Sequence, residues 1–171
     1  GDVYKRQFVH GGYWMSLDPS FWSHLAEGAV ARGYAVAMPG YVLCPEVSVS
    51  AISRQVAEAI SHAAALVEGP IHLSGHSAGG HVVTRLMAEG SPLPEAVAGR
   101  VSSVLSISGL HDLRPLLATQ MNATLRLDAA VAAAESPALL APRGRFTLAT
   151  WAGGAERSEF LRQSALLSNI W

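Results

Sequence analysis

Short apolar runs alternate along this chain with longer stretches in which apolar residues recur every three or four positions, a pattern that predicts strands interleaved with helices. Phe8-Val9-His10 reads as the end of a strand running into Gly11-Gly12-Tyr13-Trp14. Asp18 as N-cap, with Pro19 at the first helical position, opens a predicted helix that closes near Arg32-Gly33. Tyr34 to Met38 is the next strand, ended by Pro39-Gly40. From Ser48 to Val67, the residues Ile52, Val56, Ile60, Ala63 and Val67 predict an amphipathic helix with one buried face, stopped by Gly69-Pro70. A strand at Ile71-His72-Leu73 leads through a turn into a helix that ends near Glu89, and Gly90-Ser91-Pro92-Leu93-Pro94 is a further turn. Val101 to Ile107 is another strand. Residues 110–142 read as irregular or short-helical, with an alanine-rich helix at Asp128 to Ala134. Arg145 to Trp151 is the last strand and Glu156 to Ser168 the last helix.

Strands alternating with helices argue for an α/β fold, a mostly parallel sheet flanked by helices. Ligands bind such sheets at the carboxyl ends of the strands, the edge that His10, Ser77, Ser108 and the loop after Trp151 are expected to share. Composition narrows the chemistry. With 171 residues, half of them hydrophobic, the chain suits one domain with a sizeable core. A net charge of −1 and a charged fraction of 15% leave no basic face for nucleic acid, so the expected partner is a small-molecule substrate. Cys44 is the single cysteine, which excludes an internal disulfide, and no C-x-x-C or H-E-x-x-H arrangement calls for a metal. No apolar run approaches the length of a membrane span, and a cytoplasmic location is expected. The oligomeric state stays open, a homodimer included.

The ends are expected to be cut. Gly1 stands where an initiator methionine would, and Asp2-Val3-Tyr4-Lys5-Arg6-Gln7 resembles the translation of a sequencing-library transposon end. Residues 1–7 are accordingly set aside as a non-native scar, leaving a partial domain over residues 8–171, and Trp171 follows a helical pattern with no further strand.

The chemistry centres on Gly75-His76-Ser77-Ala78-Gly79, a G-x-S-x-G string between an apolar strand and a helix. A serine hydroxyl is a weak nucleophile, so it has to project from a tight turn where a base reaches it and backbone N–H groups meet the developing oxyanion. Glycines two positions to either side allow that packing. His10-Gly11-Gly12-Tyr13-Trp14 is a second glycine turn directly after a strand, with amides able to face a substrate without a side chain between.

With both motifs, the chain resembles the α/β-hydrolase superfamily and, within it, the kynurenine formamidase (arylformamidase) group. Further strings carry the likeness: Tyr41-Val42-Leu43-Cys44-Pro45-Glu46, Ser108-Gly109-Leu110-His111-Asp112-Leu113-Arg114-Pro115-Leu116 and Glu159-Phe160-Leu161-Arg162-Gln163-Ser164. The resemblance implies a cofactor-independent serine hydrolase of aryl formamides, converting N-formyl-L-kynurenine to kynurenine and formate in tryptophan breakdown. It implies Ser77 as nucleophile, the amides of Gly12, Tyr13 and Ala78 as oxyanion donors, and Glu156 as the acid, where many relatives carry aspartate. Asp112 is the alternative acid, although a role in fixing its own turn is favoured. Trp14, Tyr41 and Trp151 are candidates for an aromatic wall against an aryl substrate, with core packing equally open to them.

The departure lies in the histidines. The superfamily order is nucleophile, acid, histidine, so the base is expected beyond Trp171 and the chain is expected to be nearly inactive. His10 is read as bracing the glycine loop and His76 as held pointing away by the turn. His24, His62 and His72 fall in helix or strand patterns, and His111 precedes the acid. Two rivals stay open: a carboxylesterase of the hormone-sensitive-lipase type, and a non-catalytic binding protein of the same fold.

Overall fold

A computed structural model describes residues 5–171. In chain order these form β1 (Lys5–Val9), a 3-10 helix (Pro19–Ala26) running into α1 (Glu27–Val30), β2 (Ala35–Ala37), α2 (Val49–Leu66), β3 (Ile71–His76), α3 (Ala78–Arg85), α4 (Glu95–Ala98) and β4 (Val101–Ile107). A 3-10 turn (Arg114–Ala118), α5 (Asn122–Leu125), α6 (Ala129–Ala134) and a 3-10 turn (Pro137–Leu139) follow, then β5 (Thr147–Trp151) and α7 (Ser158–Ile170). The strands make one sheet in the order β2-β1-β3-β4-β5, every neighbouring pair parallel. From β1 the chain steps outward to β2, then crosses back through α2 to β3 and steps outward the other way. The strand order therefore reverses between β1 and β3, and the loops leaving their carboxyl ends face one crevice.

The helix α2 shows how the sequence builds this arrangement. Ser48 caps it, its hydroxyl accepting from Ala51 N at 3.2 Å. Ile52, Val56 and Ile60 are fully buried, each contributing about 1.5–3 kcal/mol by leaving water. Ala64, rather than the expected Ala63, continues the stripe, and Val67 leaves the helix in extended backbone, because Gly69-Pro70 ends helical geometry just ahead. α2 packs against α3, which in turn lies on β1, β3 and β4, and Val9, Leu73, Val82, Leu86 and Val104 complete the core between them.

The expected helix over residues 18–33 is mostly 3-10. Asp18 caps it through Ser20 N at 2.8 Å, yet no residue of Pro19–Ala26 is buried, so no apolar stripe selects the α pitch. α3 ends at Arg85, short of Glu89, because Glu89 N bonds Ala141 O at 2.9 Å and Arg143 N bonds Met87 O at 2.7 Å in place of helical partners. Glu95–Ala98 forms a short helix that the turn signal at Gly90–Pro94 did not announce. Among the described residues no helix is long and apolar enough to cross a membrane.

Residues 1–4 of the segment set aside as a scar lie outside the described residues. Lys5, Arg6 and Gln7 of that segment pair with Ala35–Ala37 on one side and Ile71–Leu73 on the other, inside the sheet. The Lys5 ammonium, almost fully buried, donates to Ala64 O at 2.9 Å. Gln7 is 1% exposed, and neither its amide nitrogen nor its amide oxygen has a partner among the described residues. An unpaired buried amide costs about 1–3 kcal/mol. Gln7→Met, similar in length and without polar hydrogens, is expected to raise the thermal midpoint by several degrees. A lowered midpoint would mean that the amide is satisfied in solution.

Candidate active site

β3 passes into α3 through Ser77 alone, whose φ of 54° and ψ of −116° place it in backbone space that L residues rarely occupy. Such a conformation costs about 1–3 kcal/mol and persists because its surroundings fix it. Ser77 N donates to Ile107 O at 2.8 Å, and Ser77 O accepts from His81 N at 3.1 Å. The flanking glycines are steric necessities. A Cβ at Gly75 would stand 2.2 Å from Gly79 O, and one at Gly79 would stand 2.0 Å from Val9 O. The G-x-S-x-G spacing thus records two places where backbones touch.

The loop after β1 comes up against this turn. A Cβ on Gly11 would meet Ser77 Cβ at 3.0 Å. Gly12 has φ of 122°, and Tyr13 and Trp14 follow at 54° and 61°. Met15 N and Ser16 N donate to Gly12 O at 3.0 and 2.9 Å, a turn that engages the Gly12 carbonyl. Ala78 opens α3, so its N–H has no carbonyl one turn earlier. Gly12, Tyr13 and Ser77 border one cleft of about 350 Å³, with Glu156 on its wall.

Two of the three aromatics expected on that wall instead brace the loop from behind. Trp14 is fully buried, turned inward by its left-handed backbone, and its indole N–H donates to His81 Nδ1 at 3.2 Å. Tyr41 stacks on His10 with centroids 4.3 Å apart and donates from its hydroxyl to His10 O at 3.0 Å. His10, bonded through Nδ1 to Gly11 O at 2.8 Å, does brace the loop. Trp151 is 63% exposed and does not border the cleft, because it ends the outermost strand. The aromatics that do border it are Tyr13, Trp22 and Phe160. Neither Trp22 nor Phe160 was among the expected wall residues: the helix of Trp22 shows no apolar period, and Phe160 stood only as one letter of Glu159-Phe160-Leu161-Arg162-Gln163-Ser164.

Glu156 sits in the loop between β5 and α7. Its Oε1 accepts the hydroxyl proton of Ser108 and the N–H of Gly153, the latter at 3.1 Å. The Ser108 hydrogen bond first, and then that of Gly153, hold its carboxyl below the usual range against desolvation. Asp112 is committed elsewhere: it takes Arg114 N at 3.1 Å and Arg114 Nε and Nη2 at 2.9 Å each. Gln163 holds the same turn, accepting from His111 N and Asp112 N at 2.7 and 2.8 Å.

The histidines divide clearly. His76, expected to point away, borders the cleft. A Cβ at Gly75 would face α3, so strand alternation turns His76 to the opposite side, 5.1 Å from the Trp22 ring. Its Nδ1 is buried without a hydrogen bond among the described residues, and burial lowers its pKa, opposed by nearby Glu156. His24 and His62 are exposed, and His72 Nδ1 meets Ser103 Oγ at 2.7 Å. His111 is buried with Nδ1 2.9 Å from Gln163 O and Nε2 2.9 Å from Ser106 Oγ. Among the described residues no histidine is hydrogen-bonded to Ser77 or Glu156. No group of three or more His, Cys, Asp or Glu is gathered among them so as to hold a metal ion.

Comparisons with known proteins bear on the family and the fold. Kynurenine formamidase of Salmo salar is 32% identical over 149 residues, 83% of this chain and 49% of that protein. The Drosophila melanogaster protein of the same name is 30% identical over 113 residues, 64% of this chain and 38% of its own length. The chain thus spans about half or less of the curated relatives it matches. The crystal structure of a putative thioesterase from Silicibacter superposes with a TM-score of 0.96 at 50% identity, covering all of this chain and 65% of that one. Apo esterase 2 of Thermogutta terrifontis, at 19% identity and a TM-score of 0.65 over 98% of this chain and 81% of its own, shares the fold. The family profile described as the alpha/beta hydrolase family matches residues 8–169. With the strained serine turn, the glycine loop and the parallel sheet beneath them, this match decides the classification: the chain belongs to the alpha/beta hydrolase family.

Proposed function

We propose that this chain carries the nucleophile, acid and oxyanion donors of a serine hydrolase acting on an aryl formamide, N-formyl-L-kynurenine being the substrate that its likeness to kynurenine formamidases favours. The observation that carries the reading is Ser77 on its strained turn, touched by the glycine loop and sharing a cleft with Glu156. A histidine supplied from beyond residue 171 takes the Ser77 proton, oriented and charge-stabilised by the Glu156 carboxylate. Ser77 Oγ then attacks the formyl carbon, and the N–H groups of Gly12, Tyr13 and Ala78 receive the negative oxygen. One such donor is worth about 3–4 kcal/mol. The arylamine leaves with the proton from the histidine, and water releases formate from the formyl-serine.

A second reading, ester or thioester hydrolysis by the same groups, is favoured by the 50% identical structure titled a putative thioesterase. The two separate on substrate. In a protein extended to the length of its relatives, kcat/KM for N-formyl-L-kynurenine is expected to equal or exceed that for a short aryl ester. Efficient ester cleavage with the formamide untouched would transfer the assignment to the esterases. No turnover of either, with both still bound, would make the chain a binding protein.

A further inference from the structure

Ser108 follows β4 directly, with φ of 49°. Glycine takes that left-handed conformation freely, whereas a side chain crowds the backbone there. The position is nevertheless a serine, 3% exposed, and its hydroxyl makes one hydrogen bond among the described residues, to Glu156 Oε1. Its neighbours show what that bond joins. Ile107 O, one residue back, accepts from Ser77 N at 2.8 Å. Ser108 N donates to Trp151 O at 2.6 Å, where β5 gives way to the loop carrying Glu156. Two consecutive residues at the end of β4 thus hold the nucleophile's turn, the root of the acid's loop and the acid's carboxylate.

The carboxylate is held on one oxygen only. Oε1 accepts from the Ser108 hydroxyl and from Gly153 N at 3.1 Å, which fills its two lone-pair sites. Oε2 has no hydrogen bond among the described residues. The side chain also folds back onto its own turn: Glu156 N donates to Gly153 O at 3.1 Å, and a Cβ on Gly153 would stand 3.3 Å from Oε1 and 3.4 Å from Cγ. A half-buried glutamate on a loop has three torsions to fix, and it loses its aim without a tether at the tip. With Oε1 occupied, an imidazole N–H arriving at this acid meets Oε2.

We propose that Ser108 is a positioning residue: by occupying Oε1 it aims Oε2 of Glu156 at the base, and it ties the acid to the same strand end that holds Ser77. The proposal rests on the reading of Glu156 as the acid of a serine hydrolase; the tether itself rests on the hydrogen bonds alone. The same bond favours the charged carboxylate, the form needed once the base carries the Ser77 proton.

The test is a double-mutant cycle of Ser108→Gly and Glu156→Ala in a protein extended to the length of its relatives. It is read on whichever of N-formyl-L-kynurenine and p-nitrophenyl acetate the parent cleaves faster. Ser108→Gly is expected to lower kcat about ten- to hundredfold, the effect of one hydrogen bond to a charged group, with KM within about twofold. In the Glu156→Ala background the same substitution is expected to change kcat by less than about twofold, since the tether then has nothing to hold. The melting midpoint is expected to stay within a few degrees of the parent, because glycine relieves the left-handed backbone as the hydroxyl is lost. Ser108→Ala, which keeps the strain, is expected to repeat the kinetic result at a lower midpoint, and it carries the test if glycine loosens the loop. Parental kcat in Ser108→Gly, with Glu156→Ala inactive, would overturn the positioning role and leave the acid standing. An equal loss in both backgrounds would overturn it in favour of a role that does not pass through Glu156. Parental turnover in Glu156→Ala, or no turnover of either substrate in the parent, would remove the acid and the positioning role together.

Discussion

Ser77→Ala, made in a protein extended to the length of its relatives, is expected to lower turnover on the order of a million-fold, the loss usual when the nucleophile of a serine triad is removed. The fold is expected to survive, since among the described residues the Ser77 side chain makes no hydrogen bond; the turn is held by the Ser77 backbone and by the glycines around it. A companion variant separates chemistry from architecture. Ser77→Gly removes the same hydroxyl but also relieves a residue held at φ 54°, so it is expected to be equally inactive and about 1 kcal/mol more stable than the alanine variant. A position whose occupant costs stability and supplies activity is what a nucleophile turn requires. Glu156→Gln is expected to reduce turnover about ten-thousand-fold, as for the acid of such a triad, whereas Asp112→Asn, breaking a contact with Arg114, is expected to act on stability instead. Turnover within tenfold of the parent after Ser77→Ala would remove the serine mechanism. In the 171-residue chain, where no described histidine meets Ser77, turnover is expected to be low before any substitution is made.

What the sequence disclosed follows the physics of each element. The serine turn was legible because its glycines mark backbone contacts of 2.0 and 2.2 Å that no side chain can share, so residue type and geometry are bound together. α2 was legible because a hydroxyl cap and a buried stripe point to the same helix. The aromatic wall was not. Proximity to a strand end put Trp14 near the site, but the sign of φ at Tyr13 and Trp14 decides which way the ring turns, and hydrophobic periodicity carries no information on that sign. The strand at Lys5–Gln7 was hidden for the opposite reason: a parallel strand inside a sheet normally reads as a continuous apolar run, and the three long polar side chains of Lys5, Arg6 and Gln7 break it. His76 could have been placed, since alternation along β3 from Gly75 already fixes its side of the sheet.

Acid is the second strong lever, through two histidines buried as neutral rings. His81 receives the Trp14 indole proton at Nδ1 and donates from Nε2 to Glu135 O at 2.7 Å, so both nitrogens are engaged and a second proton has no acceptor. His111 is enclosed in the same way: Nδ1–H donates to Gln163 O, and Nε2 accepts from Ser106 Oγ. Burial is the main cause that lowers each pKa from 6.5 to about 4. In the unfolded chain both rings titrate near 6.5. Above that pH neither state binds the extra protons; below it the unfolded chain takes up two that the native fold refuses. Stability is therefore lost as pH falls from about 6.5 to about 4, at roughly 1.4 kcal/mol per pH unit per ring, or about 7 kcal/mol for the pair. His10, His72 and His76, lowered chiefly by burial, add in the same direction. A domain of ordinary stability holds about 5–15 kcal/mol in total, so the fold is expected to be largely lost before pH 4. Denaturant melts at pH 7, 6 and 5 are expected to show a slope that steepens below pH 6.5 toward about two protons, reduced by about one in His111→Gln. A midpoint unchanged between pH 7 and pH 5 would mean that these rings are not buried as neutral species. The His81 titration reaches further than stability. The ring that refuses a proton is the one that anchors Trp14, and Trp14 fixes the loop that carries the Gly12 and Tyr13 amides, so acid is expected to loosen the candidate oxyanion site as it unfolds the domain.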